Sequence, residues 1–327
     1  MSVDAARPAD PSPAEFAGES PGQVAKRLFH ATRPKFFPAS VLPVIVGTAW
    51  GAHVSGQFDL VLFLLALAAT VCVHAGANVL NDVGDESGGT DRQNTDRIYP
   101  YTGGSRFIQM GIMEANSMAR LGISLLAVAA IAGLVLLLMK GPMILGFGIA
   151  GVALAVIYSV GPVRLASIGL GELAVAVGFG VIPVIGSAWL QSNTIDNAAV
   201  LFSVPISAWV AAILLINEVP DIAADGATGK RTLPVRLGCG GTAALYVAIQ
   251  VVALAAVVQM TANGMLPMLA ALAPAGLMFL VFRAASATRK GVEDLGPMTA
   301  AIESTLAIHT VGSIWLAGCV LYLIFMA

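Results

Sequence analysis

The stretch LVLFLLALAATVCVHAGANVLNDVGD (Leu60–Asp85) is apolar along most of its length and then passes without a break into amides and carboxylates. Its first part has the length a helix needs to cross a bilayer core, about 20 residues. Its last part places His74, Asn78, Asn81, Asp82 and Asp85 at i, i+4, i+7, i+8 and i+11, which is one face of a helix. A polar stripe therefore runs into a membrane span. An ionised Asp near the middle of a span costs about 2.5–3.5 kcal/mol on insertion scales, so acids in such a place call for a functional reason.

The rest of the chain agrees with a membrane reading. It has 327 residues, of which 57% are hydrophobic and only 11% charged, against about 25% charged in soluble domains. Mean hydropathy is +0.84. Apolar stretches of spanning length fall near 36–54, 59–80, 118–138, 142–160, 170–190, 198–217, 241–261, 265–285 and 301–325. They predict an all-α integral membrane protein with nine transmembrane helices in one bundle. Residues 1–30, rich in Ala, Pro and acids, read as a disordered tail with no apolar core for a signal peptide, and residues 31–327 as the membrane domain.

Links between the spans alternate in character. The odd-to-even links are short (HVSGQFD, MKGP, QSNTIDN, TANGM), and of the 17 Lys and Arg only Lys140 falls in them. The other basic residues occupy the tail, the even-to-odd links and their flanks. The positive-inside rule then puts the N-terminus and the charged links on the cytoplasmic side of the cell membrane and the C-terminus outside. Net charge is −2 and no basic tract exists, so nucleic acid is not an expected partner. Cys72, Cys239 and Cys319 are far apart with no zinc spacing and read as small core residues.

A second acidic cluster, NEVPDIAADGATGKRTLPVRLG (Asn217–Gly238), follows the sixth span. Asn217, Asp221 and Asp225 share a helix face, with Pro220 expected to bend the helix and Gly226 and Gly229 to end it. Lys230, Arg231 and Arg236 come next. Both clusters open with the same Asn-x-x-x-Asp step, Asn78/Asp82 and Asn217/Asp221. That suggests two four-helix sets plus a ninth helix. A polar loop alone explains the charge but not the spacing. Carboxylates and amide oxygens without Cys or a His pair suit a hard cation, and Mg²⁺ binds through one or two carboxylates plus substrate phosphates. Lys and Arg nearby suit the phosphate oxygens. The chemistry indicated is that of Mg²⁺ and a diphosphate at the membrane surface, with a lipidic remainder in the bundle.

These residues resemble the UbiA superfamily of intramembrane aromatic prenyltransferases, whose Asn/Asp-rich motifs follow the second and sixth of nine helices. The similarity runs from about Thr32 to the C-terminus. NDVGDESGGTD, with Asp82, Asp85, Gly89 and Asp91, followed by GGSRFIQMG, is similar to the 1,4-dihydroxy-2-naphthoate branch. TRPKFFPASVLPVIVGTA, YSVGPVRLASIGLGELAVAVGFG and DIAADGATGKRTLPVRLG point the same way. Gly84, Glu86 and Glu218 depart from that branch's pattern and leave the acceptor open. The resemblance implies transfer of a polyprenyl group from its diphosphate to an aromatic acceptor, in the first place 1,4-dihydroxy-2-naphthoate with loss of its carboxylate to give demethylmenaquinone. It implies Mg²⁺ held by Asp82, Asp85, Asp91, Asp221 and Asp225, the four outside the loop being catalytic. Asn78, Asn81 and Asn217 would support them, and Lys230, Arg231, Arg97 and Arg106 would take phosphate charge.

Further candidates lie near the same mouth. Arg33 either meets a substrate anion or is a snorkelling anchor. Glu172, two residues into an apolar run, is expected to face a cavity or a partner. Tyr158 would line the pocket, and His74 continues the stripe. Glu303 and His309 are intramembrane ionisable residues, read as structural before catalytic. A secondary transporter is the alternative from another class, and another acceptor or a terpene cyclase the alternatives within the superfamily.

Overall fold

A computed structural model describes residues 10–88, 97–159 and 164–326. The described chain is helical. After α1 (Pro21–Ala31) come α2 (Pro38–Ser55), α3 (Leu60–Gly88), α4 (Ala115–Lys140), α5 (Met143–Ser159), α6 (Gly171–Val175) and α7 (Ile182–Ser192). α8 (Asn197–Asn217), α9 (Ile222–Ala227), α10 (Leu233–Ala262), α11 (Leu272–Lys290) and α12 (Leu295–Met326) complete it. Among the described residues eight helical stretches are long and apolar enough to span a bilayer, and the apolar helix α5 is shorter. The protein is integral to a membrane.

Burial sorts the helices into centre and periphery. In α2 and α8, 67% and 78% of the most apolar window is buried, against 22% in α4. Side chains such as Ile123, Ile131 and Leu138 on α4 and Ile149 and Val152 on α5 therefore face outward. Apolar side chains there match lipid, where the hydrophobic effect between helices is absent and close packing holds a bundle together. The α2–α7 crossing shows how: a Cβ on Gly47 would lie 2.2 Å from the Val184 carbonyl oxygen, and one on Gly51 2.2 Å from that of Ala188. Only glycine lets the two backbones touch.

Three elements differ from the sequence-based expectation. The span expected over 170–190 is present as Gly171–Ser192, but it carries a π turn, Ala176–Val181, between α6 and α7. Gly180 packs there against Ser207 of α8, whose hydroxyl donates to the Ala176 carbonyl at 2.9 Å. A side-chain partner of this kind makes irregular backbone tolerable at membrane depth. The second acidic cluster is two helices rather than one bent helix. α8 stops at Asn217, the chain turns through 218–221, and α9 begins at Ile222; Pro220 cannot donate to a continuing helix. Within the expected tail, Pro13–Phe16 forms a 3₁₀ turn and Pro21–Ala31 a helix, with Phe16 buried against Val79, Phe107 and Met118.

Candidate active site

The first acidic motif sits on the last turns of α3, which stays helical through Gly88. Asp82 is 2% exposed. Its Oδ2 accepts the backbone N–H of Ser105 at 2.9 Å, and its Oδ1 is buried with no donor among the described residues. The guanidinium groups of Arg33 and Arg106 act on it as positive charges. One helical turn on, Asp85 Oδ2 accepts from Asn81 Nδ2 at 2.7 Å. Asn78 Nδ2 donates to the Thr32 carbonyl at 3.2 Å. The stripe thus exists, and each amide on it is aimed by a specific partner.

The second motif is set by the turn after α8. Asp225 N–H donates to the Asp221 carbonyl at 2.8 Å, and Lys230 N–H to the Asp225 carbonyl at 2.9 Å, so the chain wraps round and Gly229 takes φ +81°. The wrap brings Lys230 Nζ to 2.9 Å from Asp225 Oδ1. Burial works against the Lys230 charge, but Asp225, then Asp85 and Asp221, outweigh it and hold the ammonium above its usual range. Asp85 belongs to the first motif, and Lys230 is the largest positive influence on it. One lysine therefore stands among the acids of both motifs, and the structure brings the two clusters to one mouth.

Glu172, at the start of α6, is buried at 5% exposure and shares a hydrogen bond with the Glu218 carboxyl. Burial first, then the charges of Glu172, Asp225 and Asp221, push Glu218 well above the ordinary carboxylate range. Tyr158 lies within the field of Glu218, Glu172, Asp85 and Arg33, so it too belongs to this mouth. Glu218 is the residue the motif spacing did not single out as a site residue. Its signal was available: an acid one residue beyond an apolar span.

Other candidates fall differently. Arg97 binds Asp10, accepted from Nε at 3.2 Å and from Nη2, which ties it to the N-terminal segment. Arg231 is exposed, and its backbone N–H donates to the Ser167 carbonyl. Arg33, in a left-handed conformation at φ +59°, donates from Nη2 to the Tyr101 carbonyl and lies over the Phe36 ring. His74 is buried beside Phe37 and Phe179 with Nδ1 3.1 Å from the Ser40 hydroxyl. Both ring nitrogens of His309 are buried without a partner, whereas Glu303 accepts from the Tyr101 hydroxyl at 2.8 Å. Asp91 and Gly89 lie outside the described residues.

Among the described residues no three acidic, His or Cys side chains are gathered into one coordination sphere. What the mouth offers is oxygen: the unpartnered Asp82 Oδ1 and Asn217 Oδ1 and the carboxylates of Asp85, Asp221 and Asp225. That donor set fits a hard cation whose remaining ligands come from a phosphate and water. With cations beside the acids, the arrangement can bind a metal diphosphate at the end of an apolar bundle.

Comparison with known proteins gives the family. A model described as the UbiA prenyltransferase family matches residues 40–295. The 1,4-dihydroxy-2-naphthoate octaprenyltransferase of Mycobacterium tuberculosis is 34% identical over 223 residues, covering 68% of this chain and 73% of that protein. The protein of the same name from Mycobacterium leprae is 30% identical over 298 residues, covering 89% and 96%. A UbiA homolog from Archaeoglobus fulgidus, solved with GPP and Mg²⁺, aligns with a TM-score of 0.65 at 14% identity, covering 91% of this chain and 99% of that one. The apo UbiA homolog from Aeropyrum pernix K1 aligns at 0.65 and 18% identity, covering 88% and 97%. These two structures share the fold.

Proposed function

The chain belongs to the UbiA prenyltransferase family and is an enzyme; from that premise we propose that it transfers a polyprenyl group to 1,4-dihydroxy-2-naphthoate, giving reduced demethylmenaquinone. The observation that carries the reading is Lys230, whose ammonium stands among Asp225, Asp221 and Asp85. The names of the relatives support the naphthoate acceptor.

Asp82, Asp85, Asp221 and Asp225 are the residues that would hold Mg²⁺, with Asn81 and Asn217 beside them and Asp91 as a further ligand. When bound, Mg²⁺ supplies positive charge that makes the diphosphate a better leaving group. Lys230, Arg33 and Arg106 hold phosphate oxygens as the C–O bond breaks and its electron pair leaves with the diphosphate. The apolar helices shield the allylic cation from water. The ring carbon bearing the carboxylate bonds to the prenyl carbon, the C–CO₂ bond breaks, and its electrons restore the aromatic ring. Glu172, Glu218 and Tyr158 form the polar wall against which the acceptor ring sits. We read the bundle as nine spans, two four-helix sets and a ninth, with the mouth and N-terminus on the cytoplasmic side and the C-terminus outside.

An acceptor panel tests this. Purified protein with Mg²⁺ and a long allylic diphosphate is offered 1,4-dihydroxy-2-naphthoate, 4-hydroxybenzoate, homogentisate and a glycerol phosphate, with products identified by mass. The expected product is the prenylated, decarboxylated naphthalene ring. Turnover on another acceptor with none on the naphthoate moves the protein to a sister activity.

A further inference from the structure

The function above uses neither the N-terminal segment nor the backbone of residues 97–107, yet the two meet at Arg97 and Phe107. Asp10 is ion-paired with Arg97. Phe16, 3% exposed, meets the Phe107 ring at 4.8 Å between centroids. The segment is braced internally: Arg27 Nη1 donates to the Phe16 and Gly18 carbonyls at 3.1 and 3.2 Å, and Lys26 Nζ lies 3.1 Å from Glu15 Oε1. Ala31 and Val79 close the same apolar cluster, and Val79 stands one turn before Asp82 on α3.

Between the Arg97 and Phe107 anchors lies the stretch that touches the acid. Ser105 N–H donates to Asp82. Arg106 takes φ +64°, a left-handed conformation that non-glycine residues keep only where their surroundings impose it. Its guanidinium is one of the charges beside Asp82. Phe107, the next residue, is 1% exposed and packed on Phe16. The strained residue is therefore held by Asp82 on one side and by the N-terminal segment on the other.

We propose that Asp10 and Phe16 are positioning residues for the reaction: they clamp residues 97–107 so that Ser105 N–H stays on Asp82 and Arg106 keeps its left-handed backbone. The clamp rests on the proposed function for its effect on the reaction, but its structural half does not. Residues 10–31 are thus a working part of the active site.

Hydrogen exchange and steady-state kinetics on the full-length protein test it. Phe16→Ala is expected to speed exchange of the Ser105, Met110 and Ile112 amides about tenfold and to leave the α8 and α10 amides unchanged. It is expected to raise KM for the prenyl diphosphate and the Mg²⁺ requirement about fivefold, with kcat within about twofold. Phe16→Leu keeps most of the wild-type behaviour. Asp10→Arg or Arg97→Asp alone loses protection at Ser105, and the two together regain it. Unchanged exchange at 105–112 in Phe16→Ala, or faster exchange with unchanged KM, overturns the proposal. The exchange measurement needs no substrate, so it decides the clamp whatever the acceptor panel returns.

Discussion

The backbone N–H of Ser105 donates to Oδ2 of Asp82 at 2.9 Å, while Oδ1 of the same carboxylate is buried with no donor among the described residues. One oxygen is fixed by the protein, and in the proposed function the other is the one that meets Mg²⁺. Asp82→Asn keeps an oxygen for Ser105 and removes the charge. Its Mg²⁺-dependent turnover is expected to fall about 10²–10³-fold, the scale of losing one preorganised electrostatic contact. A rate near wild type removes Asp82 from the metal site.

Tyr101, in the segment between the two motifs, gives a pH signature. Burial, then its hydrogen bond to Glu303 and that group's charge, push its phenol up to about 12. The folded state disfavours the phenolate, so this interaction is fully present below the ordinary value of 10 and is lost as pH rises toward 12. The phenolate absorbance difference between wild type and Tyr101→Phe should step near pH 12. The thermal-midpoint deficit of Tyr101→Phe should shrink from pH 10 upward. A step at pH 10 shows that the Glu303 contact is absent.

The α2–α7 crossing predicts opposite signs for two similar changes. Gly47→Ala forces a Cβ to 2.2 Å from a backbone oxygen, an overpacking that costs about 1–3 kcal/mol or more. Gly133→Ala, in α4 with nothing within 4 Å, gains helix propensity of about 1 kcal/mol. Thermal unfolding in detergent should lower the first midpoint and hold or raise the second.

His309 is 0% exposed with both ring nitrogens unpartnered. An unsatisfied buried polar group costs about 1–3 kcal/mol, so an apolar replacement is neutral or favourable. His309→Leu should keep the wild-type turnover and at least its thermal midpoint. A tenfold loss of kcat assigns His309 a role in the reaction.

Much of the molecule was legible because membrane physics is simple. Length and hydropathy locate spans, and the helical spacing of His74, Asn78, Asp82 and Asp85 survives intact on α3. The π turn at Ala176–Val181 was not legible, since an apolar run reads the same through it, and its Ser207 partner lies on another helix. The structure of residues 13–31 was masked by an Ala- and Pro-rich composition. The cap was nonetheless present: Ser20 Oγ accepts from Gln23 N–H at 3.3 Å ahead of a Pro at the first helical position. Ser105 lies in the quoted stretch GGSRFIQMG but nothing there singled it out, because its contribution to Asp82 is a backbone N–H. Arg97 read as a phosphate cation because the charge of a loop residue does not reveal its direction, and here it faces Asp10.

In the proposed function the two acidic motifs make one metal-diphosphate site. Calorimetric binding of a non-reactive prenyl thiodiphosphate with and without Mg²⁺ tests it in wild type, Asp82→Asn, Asp221→Asn and the double variant. One shared site predicts that each single change removes most of the Mg²⁺-dependent affinity and that the double change removes little more, a coupling expected of residues acting on one ligand. Wild-type affinity in Asp221→Asn, or losses that simply add, would contradict it.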